Sequence, residues 1–202
     1  MTLKMNKGDA PQEPDSREND RFISHEWISS CGSLIETTID PACWHNSLIK
    51  DLQKRGPVML DHISSLLSIN PKTVSLLLCA DDDIREMNHL YRGFDQVTNV
   101  LAFPSNHELQ WSFDIPNSEK TIGDIAIAGQ TVLNEAMKSG ITARDHLLHL
   151  FTHAVLHLLG YDHDHDIAAI EMEELEVHLL ALMKVGNPYR NDDQIFGAQE
   201  AR

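Results

Sequence analysis

Residues 142–163 read TARDHLLHLFTHAVLHLLGYDH, and the rest of the chain is best read outward from them. Thr142 can cap a helix that runs to Leu159. Gly160 stops it, because a residue without Cβ enters the left-handed backbone that ends a helix. His146, His149, His153 and His157 follow at spacings of three, four and four, so they share one helical face. Imidazoles at i and i+4 stand about 5–6 Å apart at Cβ, near enough to hold one metal ion. His149 and His157 are about 12 Å apart along the axis and cannot easily do so. The pair is His149/His153 or His153/His157, and the turn at Gly160 favours the second, since it brings His163 back to the same ion. Three neutral imidazoles with an open fourth position are the donor set of a catalytic Zn²⁺.

His165 is the rival to His163 as third donor. Asp162, Asp164 and Asp166 read as ligands, as acceptors that orient imidazoles, or as a solvated loop. His146 and His149 read as packed, hydrogen-bonded histidines. The spacing H-x-x-x-H-x-x-G-x-x-H is also that of the metzincin proteases, whose second residue is the general base Glu. Here it is Ala154, so a protease reading lacks its base.

Upstream, Ser33–Asp40 and Val74–Ala80 read as strands. Trp44–Ser68 has helical apolar spacing with a bend expected at Gly56-Pro57. Asp81–Asp83 place carboxylates at the start of a helix Ile84–Tyr91. Val97–Phe103 and Asp124–Ala128 read as two further strands, the second leading into a helix that stops at Gly140. Residues 105–120 read as a polar loop, and Ile167–Val185 as a last helix. The expected architecture is a single α/β (α+β) domain: a small mixed four-stranded sheet covered by helices, with the metal site on a C-terminal helix and the loop after it. Residues 31–185 form that domain, between flexible tails at 1–30 and 186–202. A chain starting near Cys31 is expected to fold and bind zinc.

The chain has 202 residues, 42% of them hydrophobic and 23% charged, a balance that suits one soluble globular domain. Its net charge is −15, of which the first twenty residues carry −2 and residues 186–202 carry −1, leaving −12 on the core. Such acidity excludes binding of nucleic acid by overall charge, though not action on RNA through a local site. Cys31, Cys43 and Cys79 have no paired spacing, which suits a reducing compartment. With no membrane-length apolar run and no leader-like N-terminus, a cytoplasmic location is expected.

The block from His153 to His163, HAVLHLLGYDH, closely resembles the signature H-G-x-L-H-L-x-G-Y-D-H of the YbeY (UPF0054) family of rRNA maturation ribonucleases. Met87–Pro104 (MNHLYRGFDQVTNVLAFP) and Gly123–Ala128 (GDIAIA) resemble two further family blocks. The resemblance runs over about residues 33–185 and implies one Zn²⁺ on His153, His157 and His163. It implies catalytic dependence on Arg92 and His157, and single-strand-specific endoribonuclease activity. The implied tasks are rRNA maturation at the 16S 3′ end and ribosome quality control, with rRNA, the small ribosomal subunit and its proteins as partners. The alternatives are a zinc metalloprotease-like hydrolase and a non-catalytic ribosome-assembly factor. Three positions depart from the family pattern: Ala154 stands for Gly, Asn99 for Asp and Ala102 for Ser.

Arg92 offers a planar fork of donors for phosphate oxygens, unless it is spent on a salt bridge to Asp95. Residues 161–183 hold seven acids and no Lys or Arg, so RNA must approach by a local basic route. Arg85 and Arg92, with Lys50, Lys54 and Arg55, are the candidates.

Overall fold

The computed structural model of the chain describes residues 21–70, 72–105, 121–163 and 165–189. Strands β1 (Ile23–Ile28), β2 (Leu34–Ile39), β3 (Thr73–Cys79), β4 (Val100–Pro104) and β5 (Thr121–Ala128) form one sheet of order β1-β2-β3-β5-β4. Strands β2, β3 and β5 are parallel, and β1 and β4 run antiparallel on the two edges. The helices are α1 (Asn46–Leu66), α2 (Asp81–Arg92), α3 (Gly129–Lys138), α4 (Ala143–Leu158) and α5 (Asp166–Leu182).

Three expectations are corrected. The sheet has five strands, because residues 23–28, assigned to the tail, form β1 along β2. Only Trp27 of β1 is buried, so an edge strand open to water shows no apolar alternation for a sequence reading to find. The C-terminal boundary also moves, since Tyr189 hydrogen-bonds back to Glu176 on α5. The expected tail residues 1–20 and 190–202 and most of the polar loop, 106–120, lie outside the described residues. Helix α1, too, runs unbroken through Pro57. Proline removes one N–H from the helix ladder, but buried Leu52, Met59, Leu60 and Ile63 pin the helix on both sides of it.

Side chains alternate across the strands. Ile35, Ile39, Leu76, Leu78, Ile125 and Ile127 enter the main core. Cys79, Leu101, Ala126 and Ala128 form a smaller cluster under Ile84 of α2. Helix α4 lies at the centre of the main core, touching β4, β5, α1, α3 and α5. Ten of its sixteen residues are buried, so its apolar surface extends nearly all round, as in an internal helix. Gly123 allows β5 to approach this helix: at φ +150°, a Cβ there would lie 2.3 Å from the Phe103 carbonyl oxygen and 2.8 Å from Leu158 Cδ2. The opposite face of the sheet is covered by α2 only in part. Beyond it lies an open groove of about 890 Å³ lined by Glu26, Glu36, Ser75, Tyr91, Phe103 and Asp124 among others.

Candidate metal centre

Thr142 caps α4 as expected, accepting the Asp145 N–H at 3.1 Å. At the other end Gly160 has φ +89°. Its N–H donates to the His157 carbonyl at 3.0 Å and the Tyr161 N–H to the Leu156 carbonyl at 3.1 Å. This is the Schellman pattern, in which a left-handed residue satisfies the last carbonyls and reverses the chain. The reversal brings His163 against His153 and His157, with ring centroids 5.6 and 5.0 Å away. One ring nitrogen from each of the three histidines lies within 4.8 Å of the others.

The outer nitrogens set the tautomers. His153 Nδ1 is 2.7 Å from Glu176 Oε1, and His157 Nδ1 is 2.9 Å from the Tyr161 carbonyl oxygen. Both partners accept, so both Nδ1 atoms carry the proton and both Nε2 atoms present lone pairs. Those two Nε2 atoms face each other at 3.0 Å. Two lone pairs so placed repel unless a cation lies between them. Two imidazoles on one tetrahedral zinc stand about 3.3 Å apart at nitrogen, given Zn–N near 2.0–2.1 Å. The donor set therefore fits the ion that the sequence implied. Burial lowers the pKa of His157, with the neighbouring His153 adding to it and the Tyr161 contact opposing it. A neutral imidazole is the form that binds metal.

Glu176 was not singled out from the sequence. It is fully buried and accepts from His149 Nε2 at 2.8 Å, from His153 Nδ1 at 2.7 Å and from the Tyr189 hydroxyl. Burial alone would raise its pKa. The three donors outweigh that and hold it down to about 2. One sequence signal could have found it: an acid in the apolar stripe Met172, Glu176, Leu179, Leu180, the buried face of α5. His146 Nε2 donates to Glu135 Oε2 at 2.8 Å, so buried His146 and half-buried His149 are both hydrogen-bonded residues of the helix, as read. His165 precedes α5 and stands outside the three-histidine cluster. Asp166 opens α5, Asp162 lines the cleft, and Asp164 lies outside the described residues.

The three histidines line a cleft of about 560 Å³ together with Arg92, Thr98, Asn99, Ala102 and Asp162. Arg92, the last residue of α2, is exposed and donates to the Ala102 carbonyl of edge strand β4 at 3.4 Å. Asp95 pairs with Arg85 instead, at 2.7 Å, so among the described residues Arg92 has no carboxylate partner. That pair also takes up Arg85, and Arg55 is paired with Asp51 and Asp145. Lys50 and Lys54 lie on α1 and do not line the cleft. Of the proposed basic route, Arg92 alone lines it.

The departure at Asn99 has a local reason. Its amide donates to Glu135 Oε2 at 3.0 Å, the oxygen that also meets His146. An aspartate there would oppose two carboxylates. The thiols of Cys43 and Cys79 are poor nucleophiles: burial, first among the causes, pushes both up to about 12.

Comparison with known proteins places this geometry. The sequence model of the family described as Endoribonuclease YbeY matches residues 45–184. The Endoribonuclease YbeY of Rhodopseudomonas palustris (strain BisB5) is 41% identical over 174 residues, 83% of this chain and 87% of its own length. That of Bartonella quintana is 35% identical over 157 residues, covering 77% of this chain and 96% of itself. The Rhodospirillum rubrum protein of the same name is 41% identical over 121 residues, and this chain spans 59% of that relative's length. The matched span takes in α1 to α5, Arg92 and all three histidines, and on that ground the chain belongs to the endoribonuclease YbeY family.

Proposed function

We propose that His153, His157 and His163 hold one Zn²⁺ and that Arg92 and His157 are the catalytic residues of a single-strand-specific endoribonuclease. The observation that carries this reading is the facing pair of Nε2 lone pairs at 3.0 Å, in a cleft shared with an arginine that has no carboxylate partner among the described residues. The relatives named as endoribonucleases supply the substrate class.

When bound, the ion supplies positive charge to a phosphoryl oxygen and lowers the pKa of a bound water. The protein's own groups do the rest. Arg92 clamps phosphate oxygens with its guanidinium fork and stabilises charge as the phosphorus becomes five-coordinate. The Tyr161 carbonyl and Glu176 keep the Nδ1 protons on His157 and His153, so neither ring turns its N–H inward. Ala154 is buried, which leaves the metal helix without the acid a zinc protease would use at that position.

A preference for single strands is supported by exposed rings close to Arg92 in the chain. Tyr91 and Phe94, 65% and 59% exposed, flank Arg92. Tyr91 packs edge-on against Phe103 and lines the groove on the other face of the sheet, while Phe94 follows Arg92 by two residues on the segment that returns to the cleft at Thr98. Exposed rings offer stacking faces to bases that are not already stacked in a duplex. The biological task we propose is rRNA maturation at the 16S 3′ end and ribosome quality control in the cytoplasm, on the small subunit. The acidic surface suits docking on basic ribosomal proteins. No helix among the described residues is long and apolar enough to cross a membrane.

The test is cleavage of a single-stranded and a double-stranded RNA by protein of measured zinc content, wild type beside His157→Ala. Cleavage of the single strand that is lost with the metal supports the reading. Equal cleavage by metal-free protein or by His157→Ala overturns it.

A further inference from the structure

The chain does not end its structural role with α5. After Leu182 the Val185 N–H returns to the Leu180 carbonyl at 2.9 Å, and Lys184 adopts φ +60°. The Tyr189 N–H is then held by Asn187 Oδ1 at 2.8 Å. This strap turns Tyr189 back over the helix, where its hydroxyl donates to Glu176 and its ring meets His149 edge-on at 5.7 Å.

Glu176 thus sits between the strap and a histidine of the metal cluster. Oε1 accepts a hydrogen bond from His153, and Oε2 accepts those of His149 and Tyr189. A buried carboxylate has no water to replace a lost donor. If Tyr189 is removed, Oε2 keeps His149 alone and the carboxylate gains freedom to rotate, taking the orientation of His153 with it.

We propose that the C-terminal strap is part of the metal centre: Tyr189 and Glu176 are positioning residues that hold His153 with Nε2 toward the ion. The inference rests on the zinc reading of the cleft. A carboxylate behind a ligating imidazole fixes its tautomer and raises its basicity, and loss of such a partner lowers metal affinity about 10–100-fold. The hydroxyl of Tyr189 acts one bond further out, so its loss weakens zinc binding by less than that, by about threefold or more.

The experiment uses the full chain with Tyr189→Phe and Glu176→Gln. Zinc affinity is measured by chelator competition, the visible spectrum of the Co²⁺-substituted protein reports ligand geometry, and the melting temperature of the metal-free protein reports the fold. Tyr189→Phe removes one oxygen from an exposed residue, so it remains informative should Glu176→Gln fail to fold. The expected result is weaker zinc binding and an altered cobalt spectrum in Tyr189→Phe while the metal-free melting temperature stays near wild type. Wild-type affinity and an unchanged spectrum in Tyr189→Phe would overturn the inference, as would a Glu176→Gln protein that melts early yet binds zinc normally. Failure of the zinc reading is a separate result, seen when the wild type takes up neither ion.

Discussion

His157 donates its Nδ1 proton to the carbonyl oxygen of Tyr161, 2.9 Å away and just beyond the end of its own helix. Between the end of the helix and the acceptor lie Leu159 and Gly160, the latter in the left-handed conformation. One turn therefore ends α4, fixes the tautomer of the second histidine and returns the third. Helix termination and metal-site assembly are a single local event here.

Gly160→Ala tests that coupling. A Cβ in the left-handed region costs about 1–2 kcal/mol, so the metal-free protein should lose roughly 1 kcal/mol of stability in urea titration. Zinc affinity should fall as well, because relief of the strain moves Tyr161 and His163. A stability loss with unchanged zinc affinity would separate the two functions of the turn.

Strand β1 matters more than its exposed sequence suggests. Trp27 is 2% exposed within the main core, and removal of a buried tryptophan costs about 3–5 kcal/mol. A chain starting at Cys31 should melt well below one starting at Arg21, contrary to the expectation drawn from the sequence. Thermal unfolding of the two chains side by side decides it.

Arg21 adds a pH signature to that prediction. It bonds buried Asp40 at 2.8 Å and also reaches Asp83. Burial would raise the Asp40 pKa; the Ala42 N–H and Arg21 overcome it, and the net direction is down from 3.8. A carboxyl lowered in the folded state contributes stability above its unfolded pKa and loses it as pH falls through the folded value. Arg21→Ala should thus cost about 1 kcal/mol near neutral pH, the worth of a charged hydrogen bond discounted for a half-exposed arginine. The difference from wild type should shrink below about pH 4 in parallel urea titrations.

Much of this is legible in the sequence alone. The i, i+4 histidines, the capping Thr142 and the helix-ending Gly160 are local signals, set by backbone geometry within one turn, and they place the site. Buried strands β3 and β5 announce themselves as apolar runs. Strand β1 does not, because pairing on an open edge needs only one buried side chain. Glu176 and Tyr189 were missed for a different reason: their partners lie 13 to 27 residues away, and no local period encodes such a contact. Arg92 stood out by resemblance, while its freedom from Asp95 depended on Arg85 reaching that acid first.

Phe94 gives a prediction about substrate. Phe94→Ala removes a surface ring and should leave folding and zinc content unchanged. A stacked base contributes about 1–3 kcal/mol, so KM for a single-stranded RNA should rise by roughly fivefold or more, with kcat less affected. An unchanged KM would remove Phe94 from the substrate path.

Arg92 carries the sharpest prediction, because its charge and its shape can be separated. It lines the cleft with the three histidines but hydrogen-bonds the Ala102 carbonyl rather than Glu176 or the Tyr161 carbonyl, so Arg92→Ala should retain wild-type zinc content and a near wild-type melting temperature. Loss of a charged, transition-state-directed donor costs about 3–4 kcal/mol, or roughly 10²–10³ in kcat. Arg92→Lys keeps the charge but not the planar fork, and an ammonium contacts phosphate as a point charge. It should recover only part of the lost rate. Three outcomes are then distinct in a single-turnover cleavage assay on metal-quantified protein. Alanine slow and lysine intermediate support a bidentate clamp. Alanine slow and lysine equal to wild type show that charge alone suffices. Alanine as fast as wild type removes Arg92 from catalysis and leaves phosphate stabilisation to the metal centre alone.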